Sequence, residues 1–356
     1  MNIHLLCKRY YTHKDLLKDR FGRLYHLPLQ LARLGASVKV TAIDYRNAGE
    51  ESLEADGVRF LTAPAALRRL PGLLPGLYRH IRAERPDLLI ASGDSHIGFI
   101  GYKIAQRLGA HFIFDVYDYY CVFPGNRIPG MKAMFWNAVK RADLVLCASA
   151  TLQARLAAEN PSTLLVQNGV DRTLFVPGDQ RRAREALGLP AKGRVVGYFG
   201  SINPARGPLL IEACRQIRLE MPDLRLLLAG PVRHVEMSEP WITHVGAQPQ
   251  EAIPTLIHAC DVVTIPYAND EFNSMAGACK IAEYLACDKP VVATRVAGHE
   301  EIFRESPGSL SKPDTGDMAR AIKTQLESPK LTPFPETMAW EWIGTRLYRA
   351  LNDLGT

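Results

Sequence analysis

The sequence predicts an α/β protein of two doubly wound lobes, each a parallel sheet covered by helices on both faces. Short apolar runs alternate with segments of helical spacing along nearly the whole chain. A turn-rich stretch at 167–179 interrupts that alternation, which then restarts. A length of 356 residues also suits two domains of ordinary size better than one.

The elements follow in order. Residues 3–7 read as a first strand, too short and uncharged for a secretory signal. Helical spacing at 23–34 stops at Gly35, and 38–43 returns as a strand. The strand expected at 88–91 is entered through Pro86-Asp87. A helix at 98–108 ends on Gly109, and 112–116 is the next strand. Residues 142–147 lead into a helix beginning near Ser149, and 164–166 closes the first half. Asn168-Gly169 and Pro177-Gly178 mark the linker. In the second half, strands are expected at 195–199, 224–229, 262–266 and 290–293. Helices are expected there at 209–218, 253–259, 279–285 and 318–326. After Pro329, Pro333 and Pro335, residues 340–354 form an amphipathic helix. The domains are therefore expected at 1–170 and 171–335, with 336–356 as a closing helix. Two such lobes make a cleft, and open parallel sheets bind ligands at the carboxyl ends of their strands.

Composition narrows the class. A chain that is 47% hydrophobic and 22% charged has enough apolar residues for packed cores and is not a disordered tail. No apolar run reaches the roughly 18–20 residues that a membrane-spanning helix requires. Seven scattered cysteines without a C-x-x-C pair point to reduced thiols, a cytoplasmic location and no zinc site. The net charge of +6 is unevenly placed. Lys8, Arg9, Lys14, Lys18, Arg20 and Arg23 crowd the first connection, and Arg68, Arg69, Arg79, Arg82 and Arg85 interleave with leucines in a later one. Two readings stay open for them: peripheral contact with an anionic membrane or an anionic acceptor, or a solvated helix face beside a core stripe. Nucleic acid is not an expected partner, because no aromatic platform or recognition module accompanies the charge.

Two turns carry the chemistry. In Gly277-Ala278-Cys279-Lys280-Ile281-Ala282-Glu283, small residues at a helix start leave backbone N–H groups free to face a phosphate. Lys280 and Glu283 share a helix face, one suited to neutralising a diphosphate and the other to accepting hydrogen bonds from ribose hydroxyls. An ordinary helix with an i,i+3 ion pair fits the same residues. The second turn, Gly200-Ser201-Ile202-Asn203-Pro204-Ala205-Arg206-Gly207, directly follows a strand, so Arg206 is a candidate for the same diphosphate. A plain turn with a solvated arginine is the alternative.

Taken together, these segments resemble the GT-B glycosyltransferases, particularly the retaining family 4, or glycosyl transferases group 1. The run from Lys280 to Ala286, followed by Lys289-Pro290-Val291-Val292-Ala293-Thr294, resembles that family's donor signature. Asn168-Gly169-Val170-Asp171, with Phe175 and Pro177, resembles its interdomain segment; Val245-Gly246-Ala247 resembles the turn meeting the nucleotide base. Trp340-Glu341 resembles the head of a closing helix that returns to the first lobe. Arg20-Phe21-Gly22-Arg23 resembles the glycine-bearing turn that approaches the donor phosphate, and Tyr117-Asp118 matches a histidine–aspartate position.

The resemblance implies two Rossmann-like domains, acceptor-binding then donor-binding, facing a central cleft. It implies transfer of a sugar from a nucleoside diphosphate sugar to a saccharide or lipid-linked acceptor, with retention, in bacterial envelope polysaccharide or glycolipid synthesis. Asp118, Arg206 and Lys280 are the implied catalytic residues. Donor contacts are implied for Gly22, Gly200, Ser201, Arg206, Gly246, Ala247, Gly277, Ala278, Cys279, Lys280, Ile281 and Glu283. Neither a cofactor nor a metal is expected, since no D-x-D motif occurs. Asp94 and His96 rank behind Asp118. The family's paired glutamates leave one departure: Glu283 matches the second, but Met275 stands at the first, so Asp270, Glu271 or backbone amides at 276–279 are the expected substitutes. Ser201 stands where an arginine is common. Other readings are a sugar-nucleotide epimerase, a phosphorylase, or a non-catalytic subunit that binds nucleotide sugar.

Overall fold

The computed structural model describes residues 1–11, 14–65, 70–277, 279–296 and 298–354. Its first sheet is built from β1 (Asn2–Lys8), β4 (Ser37–Asp44), β5 (Ser52–Ala55), β6 (Val58–Pro64), β7 (Leu88–Ser92), β8 (His111–Val116), β9 (Leu144–Cys147) and β10 (Thr163–Leu165). The spatial order is β10-β9-β8-β7-β1-β4-β6-β5, parallel except for the edge strand β5. The small antiparallel pair β2 (Tyr10–Tyr11) and β3 (Lys14–Asp15) follows β1. Strands β1, β7, β8 and β9 are buried almost end to end, as expected where helices cover both faces. Those helices are α1 (Arg23–Arg33), α2 (Leu70–Glu84), α3 (Ser95–Leu108), α4 (Met131–Arg141) and α5 (Ala150–Ala157). Gly109 ends α3 in the left-handed conformation, and the Ser149 hydroxyl caps α5 by accepting from Leu152 N–H.

The second sheet contains β11 (Val195–Phe199), β12 (Arg225–Ala229), β13 (Ile242–His244), β14 (Val262–Ile265), β15 (Val291–Thr294) and β16 (Leu310–Ser311). All are parallel, in the order β13-β12-β11-β14-β15-β16. Its helices are α6 (Gln180–Ala186), α7 (Gly207–Arg218), α8 (Ile253–Ala259), α9 (Glu271–Met275), α10 (Cys279–Ala286), α11 (His299–Ile302) and α12 (Thr315–Glu327); α13 (Trp340–Leu354) closes the chain. Strand alternation sorts the core cleanly. Val195, Leu227, Val263 and Val291 join one apolar cluster, whereas their neighbours Val196, Leu226, Val262 and Val292 join another.

Contacts divide the chain into two compact units. One comprises Met1–Gly169, Met275–Gly277 and Trp340–Thr356; the other comprises Val170–Ser274 and Ala278–Ala339. Residues 275–277 thus group with the first unit, where Ser149 Oγ donates to Met275 O at 2.9 Å. Helix α13 also belongs there: the Trp340 and His26 rings stack with centroids 5.4 Å apart. Among the elements that the spacing did not announce are the β5–β6 hairpin, turning on Asp56-Gly57 with both residues at positive φ, and α2, α4 and α6.

In the first basic cluster, four of the six side chains lie beside acidic partners, while Lys18 and Arg20 are exposed. Arg9 is fully buried against Asp15, Asp44 and Glu51, Lys8 pairs with Asp94, and Lys14 lies 3.8 Å from Asp19. Arg23, at the head of α1, is also buried: Nε and Nη2 grip both oxygens of Asp115, and Nη1 donates to Val166 O and Asn168 Oδ1. Arg9 and Arg23, the two fully buried members, are therefore internal scaffolding. In the second cluster, Arg79, Arg82 and Arg85 are exposed, while Arg68 and Arg69 lie outside the described residues. Removing Arg23 leaves the Asp115 carboxylate buried and unpaired, so Arg23→Ala is expected to lower stability by about 3–5 kcal/mol in urea denaturation. A loss below about 1 kcal/mol would contradict the structural role.

Candidate functional site

Strand order fixes where a ligand belongs. In the second sheet β11 lies between β12 and β14, so the chain winds away from it in both directions, and the crevice at such a switch lies beyond the strands' carboxyl ends. Strand β11 ends at Phe199 and runs into Gly200; β14 ends at Ile265 and runs into Tyr267. Both predicted cations arrive at this point. Lys280, on the first turn of α10, lays its stem over Gly200, and its Nζ is 3.1 Å from where a Cβ on that residue would be. Only glycine leaves room for this crossing. Arg206, immediately before α7, stacks its guanidinium 4.2 Å above the Tyr267 ring and donates from Nη2 to Asn273 Oδ1 at 3.1 Å.

The electrostatics of this cluster are one-sided. Among the described residues, neither Arg206 nor Lys280 has a carboxylate within ion-pair distance. Their neighbours are Tyr198, Tyr267, Asn273 and Cys279, which are neutral in their ordinary forms, and the buried Nε of Arg206 has no hydrogen-bond partner. The Lys280 pKa is held above its ordinary value, chiefly by Tyr267, against the opposing effects of burial and, last, of Arg206. The i,i+3 ion pair with Glu283, the bland alternative for α10, does not form. Glu283 instead sits half-buried, and burial raises its carboxyl to about 7 against the smaller opposing pull of Lys280.

Other predicted residues take varied positions. Ser201 is half-buried, and its carbonyl accepts from the Tyr198 hydroxyl at 3.2 Å. Gly246, at φ +72°, accepts from Gly230 N–H at 2.8 Å, and Ala247 beside it is exposed, so the turns after β11, β12 and β13 are packed together. Cys279 is half-buried at the start of α10, while Ala278 lies outside the described residues. The Ile281 side chain is wholly buried in the core, so a donor contact there falls to its backbone. Asp270, one of the expected substitutes for the missing glutamate, is hydrogen-bonded to Asn273. Its Oδ1 accepts from Asn273 N–H at 2.7 Å and its Oδ2 from Asn273 Nδ2 at 2.8 Å. Glu271 is exposed on α9. Tyr267 and Asn273 escaped the sequence reading; the Pro266-Tyr267 strand end was the one available signal.

The first sheet has its own switch at β1, between β7 and β4. At its carboxyl edge Lys8 and Asp94 pair at 3.1 Å, and Tyr45 Oη lies 2.5 Å from His96 Nε2. His96 is therefore engaged, and burial lowers its pKa. Asp118 is half-buried just beyond β8, beside the buried Tyr117 and Tyr120. Gly22, with φ +70°, precedes α1 against the Tyr11 ring; Gly277 packs closely on Ala148 O. A separate cavity of about 730 Å³ lies under α2, lined by Thr41, Glu51, Thr62, Leu73, Leu77 and His80.

Comparisons with known proteins bear on the family and the fold. The family described as "Glycosyl transferase 4-like domain" matches residues 23–169, and "Glycosyl transferases group 1" matches residues 193–328. D-inositol 3-phosphate glycosyltransferase from Mycobacterium sp. (strain JLS) is 32% identical over 185 residues, covering 47% of this chain and 40% of the relative. The protein of that name from Mycobacterium tuberculosis (strain ATCC 25177 / H37Ra) is 32% identical over 174 residues, covering 44% and 35%. The chain thus spans about two fifths or less of the length of these relatives. Sucrose-phosphate synthase from Thermosynechococcus elongatus has a similar fold, with TM-score 0.78 and 20% identity over 99% of both chains. Anabaena Alr3699/HepE in complex with UDP is similar at TM-score 0.74 and 20% identity, over 99% of this chain and 100% of that one.

The Glu283 environment has a pH consequence. Its carboxyl titrates near 7 in the folded chain against an ordinary value of 4.5, so the folded form holds more protons between those limits. The resulting stability is full below about pH 4.5 and lost as pH rises through 7. Glu283→Gln is therefore expected to gain on the parent protein at pH 8 relative to pH 5, by on the order of 1–3 kcal/mol. Thermal denaturation at both pH values checks this; an equal difference at the two would contradict the buried-carboxyl picture.

Proposed function

Since the chain belongs to the GT-B glycosyltransferases of the group 1, family 4-like kind, we propose that it moves a glycosyl unit from a nucleoside diphosphate sugar to an acceptor hydroxyl. The observation that carries this reading is the Arg206–Lys280 pair, two cations brought to a sheet switch point without a carboxylate to neutralise them. A bound diphosphate supplies the missing charge. Both cations then stabilise it more strongly as the bond to the anomeric carbon breaks and negative charge develops. Backbone N–H groups at the head of α10 add to this, and Glu283 accepts from the ribose hydroxyls.

With retention, the acceptor oxygen bonds to the same face of the anomeric carbon that the diphosphate leaves. Its proton passes to the departing phosphate oxygen. Asp118, at the carboxyl edge of the first sheet, orients the acceptor hydroxyl. No metal is assigned to the leaving group, because the two side-chain cations fill that role. UDP-sugars are the first donors to test, given the UDP complex of Alr3699/HepE, and D-inositol 3-phosphate is a first acceptor, given the relatives' names. A role in envelope polysaccharide or glycolipid synthesis accords with a lipid-linked acceptor reached at an anionic membrane surface through the exposed Arg79, Arg82 and Arg85.

Thermal shift against UDP-, GDP-, ADP- and dTDP-sugars identifies the donor, since a ligand of the folded state raises its stability. With that donor, Lys280→Ala and Arg206→Ala are each expected to lower kcat by roughly 10²–10³. Turnover should persist in EDTA; abolition by chelation with rescue by manganese overturns the metal-independent route. Vesicle sedimentation tests the surface. Phosphatidylglycerol vesicles should bind the protein and lose it on Arg79→Glu/Arg82→Glu/Arg85→Glu, whereas equal binding to phosphatidylcholine removes the charge argument.

A further inference from the structure

The feature that the donor reading leaves unused is the side chain holding Arg206. Asn273 is almost wholly buried, at 1% exposure, and its side-chain amide and backbone N–H are all engaged. Its Oδ1 accepts from Arg206 Nη2 at 3.1 Å. Its Nδ2 donates to Ala268 O at 3.1 Å and to Asp270 Oδ2 at 2.8 Å, and its backbone N–H donates to Asp270 Oδ1 at 2.7 Å. These bonds fix the amide orientation, because the carbonyl oxygen is the group that a guanidinium requires and the NH₂ is the group that a carboxylate requires. Ala268 N–H also donates to Ala205 O at 2.9 Å, tying the loop after β14 to the turn that carries Arg206.

We propose that Asn273 is a positioning residue that aims Arg206 at an anionic ligand while keeping the Asp270 carboxylate one side chain away from it. The relay Asp270–Asn273–Arg206 transmits geometry without transmitting charge. An aspartate at position 273 would keep the same oxygen facing Arg206 but would turn the contact into an ion pair. The guanidinium would then be neutralised from within, as Arg23 is by Asp115. An asparagine gives the arginine a fixed direction and leaves its positive charge for the ligand. The neutral Tyr267 ring beneath the guanidinium has the same property, adding attraction without cancelling the charge.

This inference rests on the donor-site reading, and the test separates the two. The probe is inorganic pyrophosphate, which needs no knowledge of the base or sugar. Binding is measured by calorimetry at several salt concentrations, with thermal denaturation as a fold control. Asn273→Asp is expected to bind at least 10-fold more weakly than the parent protein, with a shallower salt dependence because one positive charge is cancelled. Asn273→Ser, which keeps the site neutral but frees Arg206, is expected to lose about 3–10-fold with the parent salt dependence, and it decides the matter if Asn273→Asp does not fold. Parent affinity in either variant overturns the relay, as does an equal loss in both with unchanged salt dependence. Arg206→Ala and Lys280→Ala are the controls: if neither weakens pyrophosphate binding, the donor site falls and the relay with it. If Arg206→Ala weakens binding but the Asn273 variants do not, the relay alone falls.

Discussion

A cation withdrawn from water has to be neutralised or hydrogen-bonded by something, and this constraint organises both units. In the first, Arg9 is enclosed by three carboxylates and Arg23 is held by Asp115. In the second, Arg184 meets Asp261 at 2.7 Å, and Lys289 donates to the carbonyls of His258 and Cys260. Each of these side chains ties strand ends or helix ends to a neighbouring element. Arg206 and Lys280 obey the rule only in part: rings and an amide hold them in place, and the charge is left over. That residue of charge, rather than any single motif, is what singles out the proposed ligand site.

Topology explains why the uncancelled pair lies where it does. Lys280 and Arg206 are far apart in sequence, on helices α10 and α7, yet both follow elements that meet at the β11–β14 junction. The parallel arrangement sends every strand out at the same edge, so residues just beyond β11 and β14 become neighbours. The rest of the turn is adapted to that meeting. Gly200 leaves space for the lysine stem, and Gly230, at φ +128°, lies so close to Gly200 O that a side chain there has no room.

Much of this was legible in the sequence, for physical reasons that also show where legibility ends. Runs such as Leu88-Leu89-Ile90-Ala91 and Val195-Val196 announce strands covered on both faces, because no polar face interrupts them. Lys280, Arg206 and Glu283 were readable because their roles depend on local spacing at a helix start or a strand end. The β5–β6 hairpin carried an Asp56-Gly57 signal, but its flanking alternation is short and half-exposed. What could not be read was pairing. Nothing near Arg23 in the chain announces Asp115, so a buried scaffold looked like a basic patch. Asn273 was equally silent, since an amide in a polar loop becomes informative only when its three partners are known.

The departures from the family pattern can be weighed in the same currency. Ser201 removes a cation from the turn after β11, but Lys280 reaches across from α10 and places its ammonium group over that turn. That lysine belongs to the family's donor signature and does not replace the lost cation, so the turn itself contributes Arg206 alone. Met275 removes a carboxylate instead. Of the two acidic candidates, Asp270 has both oxygens hydrogen-bonded to Asn273, whose amide oxygen in turn accepts from Arg206. Each of its oxygens keeps a further lone pair, so a sugar hydroxyl can still donate to Asp270, but only from the directions that the bonds to Asn273 leave open. The two departures therefore differ in kind: Ser201 lowers the positive charge on the side expected to meet the diphosphate, while Met275 removes a carboxylate and leaves Asp270 and Glu271 as the acidic groups of the preceding segment.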